Sequence, residues 1–378
     1  MIKPGSTLGM LGGGQLGRMF TMAAHAMGYR VIVLDPDPQS PAGHIADRHL
    51  TADYHEAEAL HILRTECSAI TTEFENVPAD TLEILSHHCF IRPSAKAVSV
   101  TQDRLHEKSF LRIHQIPTNK FAAIRTESDI DEAVHFVGLP AILKRNRYGY
   151  DGKGQYRVRT VQDVRNAFRA MHDAPCILEE MLNFEKEVSV VLARAVDGSI
   201  TEYPTGENIH ENGILDMTIV PARIAGTMDS QARTIARQVA EKLDYHGVLA
   251  VEMFVMPDGR VLVNEMAPRP HNSAHYTLDA CITDQFEQQV RVLCGLPAGD
   301  PSLLSPVVMV NLLGDLWGNQ QPHWEKLFTQ THVKLHLYGK SEARPGRKMG
   351  HFNILDRNIE NAIALGRQLK KDVAYETR

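Results

Sequence analysis

The sequence predicts a mixed α/β and α+β protein in which a Rossmann-like N-terminal domain is followed by hairpin-rich layers. A short apolar stretch over 7–11 runs into a glycine-rich turn and then into an apolar-periodic helix, as in a βαβ unit. After about residue 100 the pattern changes to strands that are joined by hairpin turns and interrupted by helices. We therefore expect three domains, over residues 1–103, residues 104–304 and, as a small β-rich C-terminal domain, residues 305–378.

The N-terminal domain begins with a glycine fingerprint. Gly12, Gly14 and Gly17 spell G-x-G-x-x-G, and Asp35 ends the second strand, where dinucleotide-binding folds carry a ribose-binding acid. The fingerprint alone is weak evidence for NAD, because the tight strand-to-helix turn itself requires glycines. We expect the loop to be a wall of a substrate site and a neighbour of a phosphate, without NAD. The pattern predicts strands over 7–11, 31–34, 69–72 and 90–91, and helices over 16–27 and 79–87.

The rest of the chain is predicted to alternate strands and helices. Thr160 and Asp163 form a capping-box pattern before one helix, and Ser230 is the expected N-cap of another helix that ends near Leu243. The predicted strands lie at 141–144, 156–158, 177–179, 187–192, 307–312 and 333–338, with further helices at 128–137 and 359–369.

Composition and charge narrow the function classes. Of 378 residues, 43% are hydrophobic and 23% are charged, and the formal net charge is −6. Basic and acidic residues are mixed, so nucleic acid and anionic membranes are not expected partners. The chain has no signal-peptide pattern and no apolar run of membrane-spanning length. The five cysteines are scattered without a C-x-x-C motif, which is typical of reduced thiols in the cytoplasm.

A predicted hairpin carries the sharpest chemical signal. If Asp258 and Gly259 form a two-residue turn, Glu252 and Glu265 pair directly across the strands, with Cβ atoms roughly 5 Å apart. Two facing carboxylates repel each other unless a cation lies between them, and Mg²⁺ binds one or two carboxylates together with phosphate oxygens. Asn264 adds another oxygen donor. We expect the apolar neighbours on that face to be Val248, Ala250, Val261 and Val263.

The metal hypothesis has an alternative. The same hairpin could present a solvated sheet face with separated charges, or could keep one carboxyl group protonated. A register slip of one residue would also remove the site, since it moves one acid to the other face of the sheet.

The segment KRNRYGYDGKGQ, residues 144–155, is a glycine-rich loop between two strands. Glycines allow backbone N–H groups to crowd around an anion, and Lys144 and Lys153 add positive charge. The Walker A pattern G-x-x-x-x-G-K-[ST] is absent. The loop is typical of a flap over a nucleotide triphosphate; the alternative is a plain flexible hairpin turn.

Three further segments carry polar residues that suit substrate binding. Acids at two strand ends, Glu179, Glu180 and Glu187, suit the adenine and ribose of a nucleotide. MAPRPHNSAH places a dense set of donors beside Glu265. These are Arg269, His271, Asn272, Ser273 and His275. KSEARPGRKMGH forms a basic turn that suits a substrate phosphate, although it could also be an ordinary solvated loop. Its basic residues are Lys340, Arg344, Arg347, Lys348 and His351.

Five motifs together resemble one family. GGGQLGR, TEFENVP, GYDGKGQ, VEMF…VNEMAPRPHNS and RPGRKMGH, in this order, resemble the 5-(carboxyamino)imidazole ribonucleotide synthases, which are ATP-grasp enzymes. The likeness covers about residues 5–355. It implies an ATP-grasp fold with a Rossmann-like pre-ATP-grasp domain and a small C-terminal domain, and a homodimer. It also implies that ATP phosphorylates bicarbonate to carboxyphosphate, whose carboxyl group is captured by the amine of 5-aminoimidazole ribonucleotide, in purine biosynthesis.

The resemblance also implies residue roles. Glu252 and Glu265 correspond to magnesium ligands, and Arg269, His271 and Tyr150 to catalytic residues. The implied ATP contacts are Arg104, Lys144, Gly149, Tyr150, Asp151, Gly152, Lys153, Gly154, Gln155, Glu179, Glu180, Met181, Leu182, Glu187, His210, Asn264 and Glu265. The implied bicarbonate and ribonucleotide side consists of Glu73, Asn76, Tyr150, Arg269, His271, Asn272, Arg347 and Lys348, to which the basic turn adds Lys340.

Three other functions compete with this interpretation. Another ATP-grasp ligase, such as a formate-dependent glycinamide ribonucleotide transformylase, would share the nucleotide site but use a different acceptor. An NAD-dependent dehydrogenase would use the glycine fingerprint. A non-catalytic nucleotide sensor would bind ATP and Mg²⁺ without turnover, but the facing acids argue against it.

Overall fold

The computed structural model of the protein describes residues 1–149, 154–318 and 320–375. A five-stranded parallel sheet forms the N-terminal domain. Its strands are β1 (Thr7–Leu11), β2 (Arg30–Leu34), β3 (Arg48–Leu50), β4 (Ala69–Thr72) and β5 (Phe90–Ile91). Their spatial order is β3-β2-β1-β4-β5, which confirms the Rossmann-like prediction. The helices are α1 (Gln15–Ala26), α2 (Ala57–Glu66), α3 (Ala79–Ser86) and α4 (Ala95–Thr101).

A small antiparallel sheet with flanking helices follows. The elements are α5 (Arg104–Ile113), β6 (Phe121–Ile124), α6 (Ile130–Val137), β7 (Ala141–Arg145), β8 (Gln155–Val158), α7 (Val161–Ala170) and β9 (Cys176–Glu180). The strand order is β6-β9-β7-β8. The predicted capping box at the start of α7 is confirmed, because Thr160 accepts from the Asp163 N–H and Asp163 accepts from the Thr160 N–H.

A nine-stranded sheet forms the largest layer and runs into the C-terminal region. The elements of the middle region are β10 (Lys186–Arg194), β11 (Ile200–Glu202), β12 (Gly206–Glu211), β13 (Ile214–Val220), α8 (Gly226–Lys242), β14 (Gly247–Val255), β15 (Val261–Ala267), α9 (Thr277–Ala280) and α10 (Gln285–Leu293). Those of the C-terminal region are β16 (Val307–Leu313), α11 (Glu325–Phe328), β17 (Val333–Leu337), β18 (Lys348–Leu355) and α12 (Ile359–Val373). The order is β15-β14-β10-β12-β13-β16-β18-β17, with β11 beside β10, so the C-terminal strands extend the central sheet.

Helix α8 corrects one expected boundary. It begins at Gly226 with Ala225 as its N-cap, five residues before the expected N-cap at Ser230. Neither Ala225 nor Gly226 has a side chain that could cap the first turn, so the sequence carried no start signal at the true boundary.

The glycine fingerprint is filled by the chain's own carboxylates. Glu73, which follows β4, accepts hydrogen bonds from the N–H groups of Gly14 and Leu16 at the start of α1. Asp35 accepts from the Gly13 N–H at 2.6 Å. The helix N-terminus that would bind a pyrophosphate is therefore already occupied by a carboxyl group of the chain, and Asp35, which resembles the ribose-binding acid of dinucleotide-binding folds, fixes the turn instead.

Steric contact explains the glycine at position 14. A Cβ on Gly14 would overlap the Glu73 carboxylate, whereas a Cβ on Gly226 would meet no atom within 4 Å. Gly14→Ala should therefore lower the free energy of unfolding by about 1–3 kcal/mol, because Glu73 must move away from the start of α1. The matched control, Gly226→Ala, should change it by less than about 1 kcal/mol. Urea unfolding measures both, and equal stabilities of the two variants would contradict the steric argument.

Candidate active site

The hairpin that carries the two acids is formed by β14 and β15, and its turn differs from the prediction. The turn has three residues, 257–259, because Met256 donates its N–H to the Arg260 carbonyl at 2.9 Å across it. The last turn residue is a glycine with φ +86°. The expected two-residue turn is therefore wrong, and the neighbouring pair, Val255 with Val261, is offset by one residue from the expected register.

A β-bulge brings the two acids back into register. Met253 pairs with Val263, and the next pair is Glu252 with Glu265, so Asn264 is the extra residue of the bulge. The predicted pairing of the two acids is confirmed. The three-residue turn shifts the register of the two strands by one residue, and the bulge shifts it back. The sequence predicted neither shift, and the pairing is correct because the two cancel.

The bulge also decides which apolar residues share the face of the acids. Val248 and Ala250 lie on that face, as expected from the alternation along β14. Val261 and Val263 instead belong to the cluster on the opposite face, which packs against α8. The expectation for these two valines is wrong, because alternation from the turn is interrupted at Asn264.

The two carboxylates have different surroundings. The Glu265 side chain is 40% exposed and pairs with Arg104 Nη1 at 2.9 Å, whereas the Glu252 side chain is 14% exposed. Burial and the Glu265 charge raise the pKa of Glu252. Burial also opposes ionisation of Glu265, but the Arg104 and Lys144 cations hold its pKa below its usual range. A cation between the two groups would remove the repulsion that raises the pKa of Glu252.

His271 lies on the other side of Glu252. Its Nε2 is 3.1 Å from Glu252 Oε1, and its Nδ1 accepts from the Ser273 N–H at 3.3 Å. Burial and the Arg269 and Lys348 cations lower the pKa of His271 to about 3, so the ring is neutral at pH 7. Because Nδ1 accepts, the single ring proton is on Nε2 and is donated to Glu252.

A buried charge cluster surrounds Glu179 at the end of β9. Lys144 Nζ lies 3.1 Å from the Glu179 carboxylate, and the Asn119 amide donates to it at 3.0 Å. Lys108 Nζ is 3.7 Å away and is itself 2% exposed. Burial opposes the charge of Glu179, but Lys144 and Lys108 lower its pKa to about 2. Two residues predicted to contact ATP, Lys144 and Glu179, are therefore neighbours.

Two further residues with a predicted ATP contact, an acid and an imidazole, pair with each other. Glu187 Oε2 on β10 lies 2.5 Å from His210 Nδ1 on β12. Burial disfavours the charged His210, but the Glu187 carboxylate raises the pKa of that ring overall. Phe254 is the direct cross-strand partner of Glu187 and stacks on Phe184 with ring centroids 4.6 Å apart. Aromatic surface beside a carboxylate suits a base together with its ribose hydroxyls.

Arg269 connects the central sheet to the N-terminal domain. Its Nε donates to Glu75 Oε2 at 2.7 Å, in the loop that follows β4. Burial opposes the guanidinium charge, but Glu75, Glu265 and Glu73 raise its pKa overall. Asn76 follows Glu75 in the same loop. The N-terminal and central elements therefore meet at this cation.

The predicted basic turn divides into a loop and a strand. Lys340 Nζ donates to Gln15 Oε1 and to the Lys348 carbonyl, both at 2.6 Å, and so reaches the start of α1. Lys348 is the first residue of β18. Arg347 donates from Nη1 to the Glu342 carbonyl at 2.8 Å within its own loop.

His351 does not belong to that basic turn. It is fully buried in β18, with its ring 5.0 Å from that of His275 and 4.7 Å from that of His336. Its Nδ1 lies 2.9 Å from the Tyr338 hydroxyl. The expectation of a phosphate contact from His351 is wrong, because a strand that the sequence analysis missed begins at Lys348 and turns this ring inward.

The remaining predicted nucleotide contacts have simple placements. The Gly149 carbonyl accepts from Arg104 Nη2 at 3.2 Å, Gly154 has φ +69°, and Gln155 begins β8. Glu180 ends β9, and Met181 and Leu182 begin the loop to β10. Four further residues with a predicted ATP contact lie outside the described residues: Tyr150, Asp151, Gly152 and Lys153.

Asn272 is a buried amide beside His271. It is 6% exposed, and among the residues that the structure describes neither of its side-chain amide atoms has a hydrogen-bond partner. Leaving a buried polar group unpaired costs about 1–3 kcal/mol. An amide placed in this way fits hydrogen bonding to a bound molecule.

Several residues of the site were missed by sequence reasoning. Glu107 accepts the Met266 N–H next to Glu265, and burial together with the Glu265 charge raises its pKa. Lys108 donates to Asn119 Oδ1 at 2.8 Å. Arg104, Glu107 and Lys108 are spaced i, i+3 and i+4, which places them on one face of α5 and was the available signal. Glu75 lies within the TEFENVP motif but was not singled out there, and Asn119 carried no comparable pattern.

Among the described residues, none of the helices combines the length and the apolar character needed to cross a membrane.

Three family models match successive parts of the chain. The ribonucleotide synthetase preATP-grasp domain matches residues 5–102, the ATP-grasp domain 109–286, and the phosphoribosylaminoimidazole carboxylase C-terminal domain 307–365. These matches confirm the predicted fold class. The N5-carboxyaminoimidazole ribonucleotide synthase of Bacillus subtilis (strain 168) is 43% identical over 355 residues, which cover 94% of this chain and 93% of that protein.

Two solved structures resemble the whole chain. N5-carboxyaminoimidazole synthetase from Staphylococcus aureus, complexed with ADP, has a TM-score of 0.92 and 36% identity, covering 98% of each chain. N5-carboxyaminoimidazole synthase from Aspergillus clavatus, in complex with ADP and 5-aminoimidazole ribonucleotide, has a TM-score of 0.89 and 31% identity, covering 97% of this chain and 98% of that one.

The buried histidines behind the site predict how stability changes with pH. Burial and the other histidines hold the pKa values of His275 and His351 well below the ordinary value of 6.5. As the pH falls below 6.5, the unfolded chain binds these protons and the folded chain does not, so the free energy of unfolding decreases. Each ring contributes up to about 1.4 kcal/mol per pH unit. His351→Gln should reduce the slope by about that amount between pH 6.5 and 5.

Urea unfolding at a series of pH values measures this slope. Between pH 7.5 and 8.5 the wild type and the variant should have the same slope, which serves as the internal control. An unchanged slope between pH 6.5 and 5 would show that His351 is not held neutral by burial.

Proposed function

The chain belongs to the N5-carboxyaminoimidazole ribonucleotide synthase family of ATP-grasp enzymes, and on this basis we propose that it carboxylates 5-aminoimidazole ribonucleotide. ATP phosphorylates bicarbonate to carboxyphosphate, and the exocyclic amine of the ribonucleotide takes the carboxyl group. ADP and phosphate are released. The product, 5-carboxyaminoimidazole ribonucleotide, belongs to purine biosynthesis. Under this proposal the protein is an ATP-dependent carbon–nitrogen ligase.

The observation that carries the proposal is the Glu252–Glu265 pair, placed between a nucleotide side and an acceptor side. Arg104 pairs with Glu265 on the nucleotide side, and His271 donates to Glu252 on the acceptor side. Phosphoryl transfer depends mainly on positioning and on charge stabilisation. We therefore assign the transfer of the phosphoryl group to the space beside this pair.

We propose Glu252 and Glu265 as ligands of Mg²⁺. The donor set fits this ion, because both ligands are carboxylates and both face one side of the sheet. Among residues 1–149, 154–318 and 320–375, no group of three or more histidine, cysteine or acidic side chains is placed to hold a metal ion, so the proposed site rests on these two carboxylates. Phosphate oxygens of ATP would complete the shell, and the bound ion would neutralise charge on the transferred phosphoryl group.

Cations of the chain hold the nucleotide in this proposal. Lys144 lies beside Glu179 at 3.1 Å and Arg104 beside Glu265 at 2.9 Å, so each cation is oriented by a carboxylate. Such ammonium and guanidinium groups stabilise phosphate oxygens. Glu187, next to the Phe184–Phe254 stack, accepts from the ribose hydroxyls.

The acceptor side is built for anions. Arg269 is held at 2.7 Å by Glu75 and keeps its charge near the two acids. His271, with a pKa lowered to about 3, acts as a neutral N–H donor that orients Glu252. We assign bicarbonate to the space beside these two residues. Asn272, Lys340, Arg347 and Lys348 are assigned to the ribonucleotide, together with Asn76 and Glu73.

Carboxyphosphate reacts readily with water, so the site has to exclude solvent. We propose that the glycine-rich segment closes over the nucleotide and that Tyr150 is one of the catalytic residues, as the family resemblance implies. Asp151, Gly152 and Lys153 complete this proposed flap. We further propose that the protein is cytoplasmic, which the five free cysteines support. The family resemblance supports a homodimer.

ADP release tests the function and the metal site together. The wild-type protein should release ADP only when ATP, bicarbonate and 5-aminoimidazole ribonucleotide are all present, and formate should not replace bicarbonate. Glu265→Gln should lower turnover at least about 100-fold, because it removes one charged metal ligand and leaves Arg104 unpaired.

The control for this test is Glu241→Gln, an exposed carboxylate on α8. It should keep wild-type turnover, and circular dichroism should show that both variants are folded. Turnover by Glu265→Gln close to that of wild type would refute the metal assignment, whereas formate-driven ADP release would favour the transformylase alternative.

Arg347 tests the ribonucleotide side. Arg347→Ala should raise the KM for 5-aminoimidazole ribonucleotide about tenfold or more, since it removes a phosphate-binding cation, and should leave the KM for ATP within about twofold. Arg344→Ala is the matched control, because Arg344 lies in the same loop but is exposed and ion-paired with Glu342 at 3.4 Å. Equal losses for ATP and the ribonucleotide in Arg347→Ala would contradict the assignment.

A further inference from the structure

A buried glutamine lies behind the proposed acceptor site. Gln285 is the first residue of α10, after the N-cap Asp284, and its side chain is fully buried. It is far in sequence from the residues assigned to ATP or Mg²⁺, and none of the motifs that carried the sequence argument includes it. Its amide group faces the segment that carries His271.

The Gln285 amide makes three hydrogen bonds to that segment. Its Oε1 accepts from the His271 N–H at 2.8 Å, and its Nε2 donates to the His271 carbonyl at 2.9 Å. The same Nε2 lies 2.9 Å from His275 Nδ1. One side chain therefore holds both backbone groups of His271, much as a neighbouring strand would, and also orients the next histidine.

The backbone at the start of α10 also binds the segment that carries His271. The Gln285 N–H donates to Thr277 Oγ1 at 3.1 Å, and that hydroxyl donates to the Ala274 carbonyl at 2.7 Å. The segment from His271 to Thr277 is thus tied to a helix end at several points. Rotation of the His271 backbone would break two of the three hydrogen bonds made by the Gln285 amide.

The position of the His271 ring depends on this backbone. The ring lies between Ser273, whose hydroxyl is 2.9 Å from Nδ1, and Glu252, which is 3.1 Å from Nε2. A side chain attached to a displaced backbone could not keep both contacts. Misplacement by about 1 Å at a reacting centre can cost 100-fold in rate.

We propose that Gln285 is a positioning residue for the carboxylation reaction, acting on the acceptor through His271. This inference rests on the proposed function, in which His271 serves the bicarbonate and ribonucleotide side. Gln285 touches neither substrate. It sets the place at which His271 meets the acceptor and Glu252, while the nucleotide contacts at Lys144, Glu179 and Arg104 do not depend on it.

The same helix offers a matched control. Gln288 is also fully buried, and its amide also holds both backbone groups of one residue: it accepts the Gly299 N–H at 2.7 Å and donates to the Gly299 carbonyl at 3.1 Å. Gly299 is outside the proposed site. Gln285→Met and Gln288→Met therefore remove comparable buried hydrogen bonds, but only the first removes bonds to His271.

Steady-state ADP release by the two variants tests the proposal. Gln285→Met should raise the KM for 5-aminoimidazole ribonucleotide, or lower kcat/KM for it, at least about tenfold, with the KM for ATP within about twofold. Gln288→Met should lower the thermal midpoint by a similar amount and keep both KM values within about twofold. A variant Gln285→Met with wild-type kinetics, or with equal losses for both substrates, would overturn the positioning role.

A crystal structure of Gln285→Met gives a second readout that does not depend on the reaction. The proposal expects His271 Nε2 to lie more than about 4 Å from Glu252, beyond hydrogen-bond reach. A ring that stays in place would overturn the proposal. If the wild type itself fails to turn over 5-aminoimidazole ribonucleotide, the proposed function fails, and this structure still decides whether Gln285 positions His271.

Discussion

The proposed site depends on two carboxyl groups that the hairpin of β14 and β15 holds face to face. Glu252 and Glu265 are directly paired, burial disfavours the charged form of each carboxyl group, and the Glu265 charge further raises the pKa of Glu252. Folding therefore produces a place where positive charge is favoured. The Arg104 guanidinium pairs with Glu265, and the His271 N–H donates to Glu252. The proposed ion would bind to both acids.

The surrounding residues extend the same electrostatic pattern. Two carboxylates that would be costly without a counter-ion are paired with cations, Glu179 with Lys144 and Glu75 with Arg269. The cations on these pairs are oriented before any substrate binds. That arrangement suits phosphoryl transfer, in which preorganised charge contributes more than covalent chemistry by the protein. At the glycine loop, by contrast, Glu73 satisfies the helix N-terminus from within the chain.

The sequence predicted the parallel N-terminal sheet, because glycine turns and apolar strand patterns are local signals. It predicted the Glu252–Glu265 pairing only because the longer turn and the bulge shift the register in opposite directions. It could not predict the bulge at Asn264, since a bulge depends on which side chains the partner strand and α8 require. It also missed β18 and hence the burial of His351, a strand that begins within a basic turn. Gln285 acts through contacts with a segment that lies elsewhere in the sequence, which local patterns do not contain.

The most direct test of the paired acids is the location of the bound cation. Crystals grown with ADP and Mn²⁺ in place of Mg²⁺ would reveal the ion by anomalous scattering. The account predicts a peak about 2–2.5 Å from a carboxylate oxygen of both Glu252 and Glu265, with a phosphate oxygen of ADP also bound. An ion held by phosphate and water alone, with both carboxylates more than about 4 Å away, would contradict it.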